Sequence, residues 1–117
     1  MDYSVDADMS PPLIECLGGV ETVGDALSLI AACGEHDTDR VLLQASALPP
    51  SFFELSTGFA GEFIQKLVNY RLRVAGVFPP DRAYPERFRE YLLEARRGPQ
   101  FRAFVQRPDA LVWLGSV

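Results

Sequence analysis

The chain has 117 residues, 48% apolar and 23% charged, a balance that supports one packed domain and is unlike a disordered chain. Its formal charge of −5 is unevenly spread: residues 1–62 hold eleven acids against one base, Arg40, while residues 63–117 hold ten bases against five acids. Acids scattered through the basic half argue against a nucleic-acid surface, and no apolar stretch reaches bilayer length. The acidic start, Met1–Asp6, lacks the basic-then-apolar pattern of a secretory signal, so a cytoplasmic location off the membrane is expected.

In chain order, Tyr3–Ala7 reads as a short edge strand and Pro12–Leu17 as a second strand, ended by Gly18-Gly19 and joined to the first as a hairpin. Glu21–Cys33 reads as a helix, with Thr22 and Asp25 as a capping pair and Val23, Ala26, Leu27, Ile30 and Ala31 as its buried stripe. Gly34 is the expected stop. Val41–Leu43 suits a strand buried on both faces. After Pro49-Pro50, Ser51 and Glu54 have capping-box spacing. The long helix that follows runs to about Tyr70, with Phe59, Phe63, Leu67 and Tyr70 in one row beside Ala60, Ile64 and Val68.

Val74–Phe78 is another buried strand. Pro85 opens a helix with Phe88, Tyr91, Leu92 and Ala95 toward the core, and Glu86, Arg87, Arg89, Glu90 and Glu94 cover its wet side. Gly98-Pro99 ends it, Phe101–Val105 is the last strand and Pro108–Leu114 a short closing helix. The order ββαβαβαβα specifies a single α/β domain over residues 1–117, with a mostly parallel five-stranded sheet and one antiparallel edge strand. Trp113 reads as a packing residue of the closing helix.

Chemistry is sparse at the positions past the strand ends, where enzymes of this architecture place reactive groups. Gln44, Ala45 and Ser46 follow one strand, Pro79 and Pro80 the next, and Gln106 and Arg107 the last; no catalytic set and no cofactor is expected. Cys16 and Cys33 fit buried free thiols, and the lone His36 fits a loop, so no metal site is expected. Gly58-Phe59-Ala60-Gly61 matches no phosphate-binding spacing and reads as close packing of a helix start against the sheet. Ser56 and Thr57, just before that start, suit helix capping; a phosphate added there would also meet free N–H groups and the helix dipole.

The run Leu48–Glu62, continuing through Gln65-Lys66 and Asn69-Tyr70-Arg71, together with Glu94–Gly98, resembles a bacterial family known as domain of unknown function 4180. The resemblance spans essentially the whole chain and implies a fold and a bacterial origin, with no activity attached. Where that family would have a histidine and an acid, this chain has Gln44 and Ala45. More loosely, the element order and the Ser56-Thr57-Gly58 helix start are similar to STAS domains of the anti-sigma-factor antagonist type. That similarity implies a hydroxyl switch at Thr57, or at Ser56, with Leu55 standing where those domains carry aspartate.

A non-enzymatic regulatory or protein-interaction domain is the resulting expectation, with Thr57, Ser56, Gly58 and Gly61 as the switch or binding residues. The alternative is a small-molecule site beside the Gly58–Gly61 turn, rimmed by Tyr84, Glu94 and Arg97. The charge split adds the expectation of a charged partner or a second copy, against mutual neutralisation within one fold.

Overall fold

The sheet arises from five short strands that pair in the order in which they occur. The computed structural model describes residues 1–116. Strands β1 (Asp2–Asp6), β2 (Leu13–Gly18), β3 (Arg40–Gln44), β4 (Arg73–Val77) and β5 (Phe101–Phe104) lie side by side in chain order. β1 runs antiparallel to β2, and the rest are parallel, with Ile14, Val41, Val74 and Phe101 in register across the sheet. The expected mixed sheet and element order are therefore what the chain forms.

That strand order decides where the helices go. Right-handed crossovers that always step toward the same edge deposit every connecting helix on one face. α1 (Ala26–Glu35), α2 (Pro50–Phe53), α3 (Phe59–Asn69) and α4 (Glu86–Ala95) connect successive strands, and residues of all four share one core with Ile14, Cys16, Val41, Leu43 and Val74. α5 (Arg107–Leu114) follows the last strand, is free of that constraint, and covers the other face. There Ala110, Trp113 and Leu114 pack on Leu13, Leu42, Ala75 and Val77. Both cores draw on alternate residues of the same strands, as the two-residue period of a strand requires.

The centre of the larger core is aromatic. Phe52 is fully buried and has the rings of Phe53, Phe59, Phe63, Phe78 and Phe88 around it at 5.6 to 6.4 Å, four edge-on and one stacked. Gly76 in β4 is required by this packing: a Cβ there would come within 2.4 Å of the Phe78 ring.

Several local expectations are corrected. Helix α1 begins later, after a 3-10 turn at Val23–Asp25, and its buried residues are Ala26, Leu29, Ala32 and Cys33, while Leu27 and Ala31 face solvent. The expected Thr22–Asp25 capping pair does form, the Asp25 carboxylate accepting the Glu21 and Thr22 N–H groups. Gly34 lies inside α1; the chain turns out at Asp37, whose φ of 52° is left-handed, as the Thr38 N–H returns to the Cys33 carbonyl. Ser51 and Glu54 form no capping box, because α2 starts at Pro50 with Pro49 as its cap. Tyr70 falls beyond α3 and is exposed.

Trp113 is a packing residue. Its ring lies against the guanidinium groups of Arg73 and Arg102, at 4.3 and 5.0 Å. The nearby end of α5 is satisfied by cations: Arg40 Nε donates to the Leu114 carbonyl at 2.7 Å and Arg73 to that of Ser116 at 3.1 Å.

Candidate functional site

Three places concentrate polar chemistry. The first is the α5 face of the sheet near the strand ends. Glu15, in the middle of β2, points to the same side as Leu13 and is buried, so its carboxylate needs partners. It has them: Arg107, at the start of α5, grips it with two hydrogen bonds of 2.6 and 3.2 Å, and the Gln44 amide donates at 2.9 Å. The Arg107 bonds hold the Glu15 carboxyl below its ordinary value against the opposing pull of burial, and Glu15 in turn raises Arg107. Gln44, the residue expected to replace a family histidine, is thus a structural donor. Glu15 was hidden in an apolar strand; its parity with Leu13 was the available signal.

The second place is the corner before α3. Thr57 closes a 3-10 turn, Leu55–Thr57, and Gly58 follows with a φ of 75°, which is why glycine stands there. The Thr57 hydroxyl lies 2.7 and 2.8 Å from the carbonyls of Ser51 and Glu54 and donates to that pair, while it accepts the Phe59 N–H at 3.1 Å. Its one proton and a lone pair are committed to tying α2, the turn and α3 together. A phosphate ester would remove that proton and set negative charge against two carbonyl oxygens. Ser56 beside it is exposed. Gly61 is exposed with open space around its Cα, so the Gly58–Gly61 run is explained by backbone conformation at Gly58 and not by close packing on the sheet. Gly61 borders a shallow depression of about 400 Å³ along the outer flank of α3, with Glu62, Gln65 and Lys66.

The third place is a groove of about 790 Å³ between α4 and the carboxyl ends of β4 and β5. Its apolar lining comes from Phe78, Leu92, Leu93, Phe104 and Val105; Leu93 and Val105 are 62% and 47% exposed. Arg82, Arg89 and Arg96, seven residues apart, stand around it with Glu86 and Glu90 between. Tyr84 also lines it. The Tyr84 ring packs on Phe53 and Phe88 at 5.7 Å, its hydroxyl donates to the Pro79 carbonyl at 3.0 Å, and burial raises its pKa. Arg82 lies over the Phe53 ring at 4.9 Å. Of the three residues expected to rim a pocket, Tyr84 alone lines this groove, and Glu94 and Arg97 are exposed outside its lining. The spacing of Arg82, Arg89 and Arg96 was present in the sequence, but only the placement of α4 beside the β5 edge turns it into one rim.

Cys16 and Cys33 are buried free thiols whose pKa values burial pushes up to about 11. Among the described residues no cluster of His, Cys, Asp and Glu is arranged to hold a metal ion, and no helix is long and apolar enough to cross a membrane.

No curated protein and no solved structure matches the chain. Residues 16–114 match the family described as Domain of unknown function (DUF4180). That match runs from β2 through the Thr57 corner and the α4 groove to the last residue of α5, and the chain belongs to the DUF4180 family.

Proposed function

We propose that the chain is a protein-interaction domain whose docking surface is the groove between α4 and the ends of β4 and β5. The observation that carries this reading is the combination of an apolar floor with an arginine rim: Leu93 and Val105 stand exposed in the groove that Arg82, Arg89 and Arg96 line. Interfaces are enriched in arginine, and their fully buried centres are more apolar than the rest of a protein surface. The chemistry that fits is a helix or short segment presenting an apolar side chain flanked by charges of both signs, which answer the arginines and the glutamates of the lining, laid into the groove. Thr57 is part of the corner's construction, so the hydroxyl switch of the STAS-like expectation does not carry the reading.

The test is capture from the native host, identification of the bound protein, and rebinding of the purified pair with three forms of the domain. Wild type and Thr57→Ser should bind alike, whereas Leu93→Arg should lower affinity at least tenfold with unchanged thermal stability. Equal binding by Leu93→Arg would place the docking surface elsewhere.

A further inference from the structure

We infer that the segment received by this groove is helix α4 of a second copy of the chain, which rests on the groove being the docking surface. The groove flank of α4 carries Glu86 at its N-terminal end, Arg89 and Glu90, then Leu93, with Arg96 just past its C-terminal end. These residues bear the chemistry that the groove demands of its occupant: an apolar side chain with carboxylates and guanidinium groups on either side. They are also arranged to complement themselves. Turning the helix end for end about its middle sets Glu86 of one copy opposite Arg96 of the other, about 15 Å from the reciprocal pair at 1.5 Å of rise per residue. Leu93 then lies beside the aliphatic stem of the second copy's Arg89.

A two-fold interface requires this reciprocity, in which residue i meets j and j meets i. A foreign partner of one sign would leave either the glutamates or the arginines of the flank facing like charge. Antiparallel helices also set the dipole of one against that of the other. The edge position of β5 leaves room for approach, because among the described residues no strand lies beyond it. Val105, just past the end of β5, is exposed beside this flank and adds an apolar side chain to the contact. A single short helix buries less than the roughly 800 Å² per partner of a standard interface, so the dimer is a weak, concentration-dependent one.

Sedimentation equilibrium over a range of concentration and salt tests this with charge reversal. Wild type should show a monomer–dimer equilibrium that high salt shifts toward monomer. Glu86→Arg alone and Arg96→Glu alone should each weaken dimerisation at least tenfold, and the double variant should restore it, since each copy then carries the reversed pair. A wild type that stays monomeric to its solubility limit, or a dimer indifferent to both single variants, overturns the inference. The groove itself is judged separately by rebinding of a captured partner to Leu93→Arg: a monomeric protein whose partner binding still depends on Leu93 keeps the docking surface and loses only the second copy as its occupant.

Discussion

At the scale of single residues, the clearest assignment is Thr57. A hydroxyl that shares its proton between two carbonyls while capping the first N–H of α3 is expected to contribute about 1 kcal/mol. Thr57→Ala should therefore lower stability in chemical denaturation by about that amount. Thr57→Ser, which keeps the hydroxyl, should lose much less. If both variants unfold like wild type, the corner is held by α2 and α3 packing alone. The sequence showed a hydroxyl before a helix start, which fits both a cap and a switch. What separates the two roles is the position of the Ser51 and Glu54 carbonyls, set by α2, a four-residue helix with no periodicity to read, and by the residue just past its end.

At the scale of elements, α2 is the piece whose importance exceeds its length. Phe52 brings it into contact with α3, α4 and the end of β4 through one ring cluster. Phe52→Ala should cost about 3–5 kcal/mol in chemical denaturation, and Phe52→Leu should recover a large part of it. A loss under 1 kcal/mol would mean that the neighbouring rings collapse into the space. The long apolar periods of α3 and α4 were legible because each buries one clear face. α1 was read out of phase: with apolar residues on most of its circumference, the pattern allowed more than one buried stripe. The contacts of α1 with β2 and α3 selected Leu29 and Cys33 over Leu27 and Ala31.

At the scale of the whole molecule, Glu15 and Arg107 join β2 to the start of α5 across 92 residues, and the pairing makes stability depend on acid. The Glu15 carboxyl is held below its ordinary 4.5 in the fold, so its contribution is present above that value and is lost as pH falls through the lowered one. Arg107 is partly exposed, which keeps the contribution near 1 kcal/mol. Denaturant midpoints measured from neutral pH down to the acid limit should fall more steeply for wild type than for Glu15→Gln once the pH drops below about 4.5. Parallel profiles for the two proteins would show that the pair contributes no pH-dependent stability.

The sequence by itself determined the family, the ββαβαβαβα order and the mixed sheet, because strand and helix periods and glycine–proline punctuation are local properties of the chain. It also determined that both cysteines are buried, since each sits in an apolar run. The tertiary structure alone decided which polar residues meet. Glu15 finds Arg107 because α5 folds onto the second face. Thr57 finds the Ser51 carbonyl because α2 turns back beside it. Arg82, Arg89 and Arg96 become one rim because the crossover lays α4 along the edge of the sheet. Such meetings depend on the handedness of connections and the path of short, aperiodic turns, neither of which leaves a repeating mark in the order of residues.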